Sequence, residues 1–122
     1  MSTNLKTARF DTETLTYKIV SDTALTHASM DDVTASSGFL HSITVVNGAN
    51  AGYLKITLTE ATVVVSTTVP DIMIKVPAST TVRVTIPSGV AFTKLSLWQT
   101  TLSTDVNNAS IAAAFNVTLV TT

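Results

Sequence analysis

TVPDIMIKVPASTTVRVTIPSGVAF, residues 68–92, holds every proline of the chain: Pro70, Pro77 and Pro87. Between them lie two runs in strict alternation. IMIKV puts Ile72, Ile74 and Val76 on one face, with Met73 and Lys75 on the other. TTVRVTI puts Val82, Val84 and Ile86 on one face, with Arg83 and Thr85 opposite. A period of two is the signature of a half-buried β-strand. Proline lacks the N–H that a sheet ladder needs, so it ends strands or sits at sheet edges. The three prolines are therefore expected to punctuate two antiparallel strands. Pro70 ends what precedes them, Pro77 opens a turn in PAST, and Pro87-Ser88-Gly89 turns the chain again. A slip of one residue would carry three aliphatic side chains into water, so the register is well specified.

The pattern extends outward in both directions. FLHSITVVN (39–47) reads as a strand. Asn47-Gly48 reads as a turn, because both residues accept positive φ. YLKITLT follows with Leu54, Ile56 and Leu58 inward and Lys55 and Thr57 on the wet side. ATVVVST (61–67) is nearly continuous in β-branched residues and is expected to be a strand buried on both faces. KLSLWQTT carries Leu95 and Leu97 on one face and Trp98 on the other. AFNVTLVT closes the chain with Phe115, Val117 and Leu119 toward the core. SIAAAF (110–115) is the one weak helical candidate. Roughly seven to nine short strands at close intervals predict an all-β fold: a single-domain antiparallel β-sandwich, jelly-roll-like, with an N-terminal arm.

The first 36 residues differ from the rest. They hold more than half of the charged side chains: Lys6, Arg9, Asp11, Glu13, Lys18, Asp22, Asp31 and Asp32. TLTYKIV (14–20) alternates, and residues 21–37 read as a long connection with room for one short strand. The expected division is an arm and first strand over 1–36 and a sandwich core over 37–122.

At 122 residues the chain suits one domain that buries about two thirds of its surface without staples. It has no cysteine, hence no disulfide and no thiolate metal site. Only 12% of residues are charged, against about 25% in ordinary soluble domains, and the net charge is −1. A nucleic-acid partner would need a basic patch, and a membrane-surface anchor a polybasic one. Mean hydropathy is +0.40, yet no apolar run reaches the roughly 20 residues that span a bilayer. MSTNLKTARF has no hydrophobic h-region, so no signal peptide is expected. Threonine supplies the outer faces with hydroxyls in place of charge.

No residue pattern announces a chemistry. His27 lies four before Asp31, but without helical pattern or a third ligand close in sequence. His41 takes the wet face if Leu40, Ser42 and Thr44 face the other way; in the opposite phase it faces the core and needs a partner. Asp31-Asp32 is a carboxylate pair without the spacing of a calcium loop, and a solvated loop explains it. GxSxG, GxxxxGK[ST] and GxGxxG do not occur. Asn108-Ala109-Ser110 and Asn116-Val117-Thr118 match the glycosylation pattern, which a Thr-rich chain produces by chance. No enzyme, cofactor or metal is expected. Trp98 stands out: a strand Trp turned away from the core marks a subunit contact, unless a loop or the N-terminal arm folds over it. Met73, also turned outward, joins it as a candidate for the same interface.

GFLHSITVVNGANAGYLKIT (38–57), TTVPDIMIKVPASTTVRVTIPSGVAFTKLSLWQTT (67–101) and NVTLV (116–120) together resemble a group of small all-β structural proteins of tailed bacteriophages. The shared pattern is a strand ending in an Asn turn, then Tyr53-Leu54-Lys55, Thr68-Val69-Pro70, Val76-Pro77-Ala78-Ser79-Thr80 and Pro87-Ser88-Gly89-Val90-Ala91-Phe92. It spans residues 38–122 and leaves the first 36 unplaced. Glycines expected near Ser66 and Lys94 are missing, which alters two turns. The resemblance implies a virion protein made in the host cytoplasm: a capsid decoration or cement protein, commonly a homotrimer, bound to the major capsid protein. Lys6, Arg9 and Phe10 in the arm are then the expected capsid contacts. The alternative is a receptor- or glycan-binding module of a head or tail fibre.

Overall fold

A computed structural model of the chain describes residues 3–9, 16–104 and 114–122, with residues 3–9 and 16 as backbone alone. Among the described residues there are eight strands and no helix: β1 (Thr3–Arg9), β2 (Thr16–Leu25), β3 (Gly38–Val46), β4 (Gly52–Thr57), β5 (Ile72–Val76), β6 (Thr81–Phe92), β7 (Ser96–Thr100) and β8 (Phe115–Thr121). They form two antiparallel sheets packed as a β-sandwich. The larger sheet has the order β1-β2-β8-β3-β6 and the smaller β5-β4-β7.

Side-chain alternation decides what lies between the sheets. Val20, Ile43, Val45, Val117 and Leu119 come from the larger sheet; Leu54, Ile56, Val76 and Leu97 come from the smaller one. All are buried in one cluster with Leu25, Leu40, Phe92, Leu95 and Phe115. Each such side chain contributes about 1.5–3 kcal/mol by leaving water. The core-facing residues expected for β4, β5, β6, β7 and β8 are the ones observed. SIAAAF falls almost wholly outside the described residues.

The described residues that precede β3 are woven into this fold. β2 lies between β1 and β8, and Val20, Leu25 and Met30 belong to the cluster. The weakly patterned stretch after β2 also has a defined task, covering the outer edge of β7. Gln99 N donates to Thr26 O, Met30 and Leu97 exchange both backbone bonds, and Val33 N donates to Leu95 O. An edge strand left open would template association with other chains.

Four expectations are corrected. First, IMIKV and TTVRVTI do not pair. β5 joins the smaller sheet and β6 the larger, so residues 77–80 form a corner between sheets. Alternation fixes which face is dry, but not which neighbour supplies the ladder. Second, Pro87-Ser88-Gly89 does not end the strand. β6 runs through it as a bulge: Ser42 pairs Thr85 and Leu40 pairs Val90, leaving four residues of β6 opposite His41 alone. Third, ATVVVST is a turn within the connection from β4 to β5. Thr67 N and Thr68 N donate to Val64 O, and Val64 N donates to Thr68 Oγ1. Val63 is buried, but Val64 is 52% exposed. β-propensity describes a fit to a pleated, half-buried surface, and here no neighbouring strand offers one. Fourth, Asn47 and Gly48 do not adopt positive φ; among the described residues Asp32, Ala35, Ser79 and Gly89 do. Asn47 acts through its side chain instead. Nδ2 donates to Asn50 O at 2.6 Å, Pro77 O at 3.1 Å and Val76 O at 3.2 Å. The same residue's N–H donates to Thr80 O. The end of β3, the following crossover and the corner after β5 are tied together at one buried amide.

Candidate functional site

The outer face of the larger sheet has an unusual composition, and register defines it. Ile19, Val120, Ser42 and Thr85 stand in one cross-strand row. Ser21, Thr118, Thr44 and Arg83 form the next. Asn116, Val46 and Thr81 form a third. Every one of these is half-buried or exposed, whereas the alternate residues of β2, β8 and β3 between them are buried. Arg83, on edge strand β6, is the one charged residue of these rows across β2, β8, β3 and β6; on the opposite edge strand β1, Lys6 stands in register with Ile19. The centre of the face is built of hydroxyls and β-branched methyls.

One end of this face is shaped by the paired irregularity in β3 and β6. Leu40 pairs Thr121 and Ser42 pairs Val120, so His41 is an extra residue on β3. The bulge overturns both phases considered for this strand: Leu40 points inward while Ser42 and Thr44 point outward. The His41 ring meets Tyr17 edge-on, with centroids 5.7 Å apart. Its Nε2 is closed off from solvent without a hydrogen-bond partner. Gly89, at φ +74°, lies against the ring. A Cβ there would come within 2.9 Å of His41 Cε1 and 3.0 Å of Phe39 Cβ. Phe39 itself is 47% exposed. Bulges commonly re-aim side chains in this way.

The outer face of the smaller sheet is different. Trp98 faces away from the core as expected but is 0% exposed, so it offers no surface contact in the single chain. Its cross-strand partner Lys55 and the neighbouring Thr57, read from sequence as a wet face, are equally buried. The chain after β7 folds back here: Thr100 Oγ1 donates to Leu102 O and Lys55 Nζ donates to Thr104 O at 2.7 Å. The lysine stem packs while its ammonium finds a carbonyl. Trp98 Nε1 and Thr57 Oγ1 are solvent-excluded without partners. Strand alternation reports the face of a residue but not what a later segment lays over it. Met73, on edge strand β5, is 46% exposed and retains the surface position expected of it.

The acidic pair is structural in its contacts. Asp31 Oδ1 accepts from Ser29 Oγ and, at 3.4 Å, from Val63 N. Asp32 N donates to Ser96 Oγ, which in turn donates to Glu60 O. Asp32 Oδ2 faces Lys94 Nζ at 3.6 Å. A half-exposed pair of this kind is worth at most about 1 kcal/mol. His27 is exposed in the segment that covers β7. Among the described residues no three His, Cys, Asp or Glu side chains gather as a metal site. Asp22, which sequence reading passed over, is buried at the irregularity in β2. Its Oδ1 accepts from Ala24 N.

Of the expected capsid contacts, Lys6 and Arg9 belong to β1 at the edge of the larger sheet, and Phe10 lies outside the described residues. Compared with known proteins, the chain matches no family model, no curated protein and no solved structure.

Proposed function

We propose that the chain is a non-enzymatic structural protein of a bacteriophage particle, a decoration or cement protein that binds the major capsid protein on the outside of the shell. It would be synthesised in the host cytoplasm and act mechanically, as a rigid wedge. Three things support this reading: the resemblance over residues 38–122, a sandwich without helix among the described residues, and a broad sheet face whose central strands carry no charge outward.

The observation that carries it is the placement of β1. This strand lies at the edge of the larger sheet and pairs with β2 alone, leaving its other side open among the described residues. Residues Thr3–Arg9 contain Lys6 and Arg9 and no acid. An open strand edge can add to another protein's sheet through backbone hydrogen bonds. Two cations on that strand would favour an acidic partner segment.

The test is co-sedimentation with shells of the encoding phage that lack the protein, comparing the full chain with one lacking residues 1–12. The full chain is expected to pellet with shells in high salt, and the truncated chain to stay folded but bind far more weakly. Equal binding by both would remove the arm from the contact. No binding by either would remove the function.

A second reading has its own observation. Tyr17, Phe39 and His41 gather around the β3–β6 bulge on the outer face, and aromatic rings beside hydroxyls suit a sugar. A fibre module that binds receptor glycans would then be expected to give reproducible hits on a glycan array, lost in His41→Ala. An array without hits rejects that reading.

A further inference from the structure

We infer that the outer face of the five-stranded sheet is a self-association surface, on which a second copy of this chain packs face to face. The inference goes beyond capsid binding and does not depend on it.

The first ground is charge. Sheet faces that stay in water usually carry Lys and Glu, and designed soluble surfaces hold about 25–35% charged residues. Here the two central strands of the face, β8 and β3, present Asn116, Thr118, Val120, Ser42, Thr44 and Val46, none of them charged. Of the other charged side chains described, Asp31, Asp32, Glu60, Asp71 and Lys94 lie in the connections, while Lys18, Asp22, Lys55 and Lys75 lie on strands but off these three rows. Charge depletion at the centre with polar groups at the rim is the pattern of an interface core.

The second ground is self-complementarity. A twofold contact sets one patch against itself, so its chemistry must match its own. Like charges fail that test, and hydroxyls pass it, because each Thr or Ser both donates and accepts. Val46, 44% exposed beside Thr44 and Asn116, adds apolar area to bury.

The third ground is size. Five strands about 4.8 Å apart and about nine residues of about 3.3 Å each give a flat area of roughly 700 Å² before side-chain relief. A standard interface buries roughly 800 Å² per partner. The face, edge strand β1 included, is therefore close to the size that a stable pair needs.

A face that matches itself makes two copies. The phage resemblance implies three, so the copy number separates the two ideas. Light scattering behind size exclusion is expected to give twice 12.8 kDa over the micromolar range. Thr44→Lys sets an ammonium at the centre of the face and is expected to give a monomer with unchanged far-UV circular dichroism. Self-affinity should fall by more than about a hundredfold, because the charge would be buried unpaired. Thr118→Lys, in the same row on β8, repeats the test if the first variant folds poorly. Thr93→Lys, exposed and outside the three rows, should leave the mass at two copies. A monomer or a trimer in the unmodified chain overturns the inference, as does a dimer that neither central lysine disturbs. A monomeric Thr44→Lys that still pellets with shells would support the self-contact and leave the capsid reading standing.

Discussion

Replacing Asn47 separates two accounts of why asparagine stands before Gly48. If its task were a positive-φ turn, glycine would serve at least as well. The structure gives the task to the side chain. Two Nδ2 protons face three carbonyl oxygens, those of Asn50, Val76 and Pro77, at 2.6–3.2 Å. That is two full hydrogen bonds, one of them shared. Asn47→Ala removes both and leaves buried or half-buried acceptors without a donor. At about 1 kcal/mol net for each bond, the loss is about 2 kcal/mol. Asn47→Gly adds backbone freedom in the unfolded chain, worth roughly 0.5–1 kcal/mol more. The order of stability is then Asn, Ala, Gly. For a domain of this length the alanine change should lower Tm by roughly 8 °C. Urea unfolding followed by circular dichroism measures the differences, with unchanged m-values confirming that the denatured state is the same. A glycine variant as stable as the unmodified chain would refute the clamp and restore the turn.

Two other substitutions follow from buried geometry. Gly89→Ala would strain a residue at φ +74° and drive a methyl against His41 and Phe39, so a loss of about 1–3 kcal/mol is expected in the same unfolding assay; an unchanged midpoint would mean the bulge is soft. Trp98→Ala should destabilise the fold by about 3–5 kcal/mol, because a fully buried indole leaves a cavity, while copy number stays the same. A shift in assembly at full stability would return Trp98 to an interface.

Much of the sandwich was legible in local pattern. The faces of β4 to β8 could be read because each alternates within its own few residues, and those side chains face one core. The unreadable parts depend on contacts distant in sequence. Whether β5 pairs β6 depends on which sheet each joins, and the five aliphatic residues from Ile72 to Val84 look alike either way. Val64 reads as strand by propensity but has no neighbour. Lys55 and Trp98 look wet by phase, yet Thr101–Thr104 folds back along their face. His41 defied both phases because a bulge shifts the count within β3. Residues 21–37 looked loose because 21–25 pair with β8 across an irregularity and 26–33 borrow their regularity, bond by bond, from the edge of β7. The candidate surface was legible in composition alone: threonine-rich and poor in charge. Its concentration on one face emerged only once register set Ser42, Thr44, Thr118 and Thr85 side by side.

The proposed place of the chain in a phage particle requires it to travel with purified virions. Quantitative mass spectrometry of density-purified particles of the encoding phage tests it most directly. The chain is expected in fixed proportion to the major capsid protein, retained after a high-salt wash. Its absence from purified particles, with the protein abundant in the infected-cell lysate, would contradict the claim.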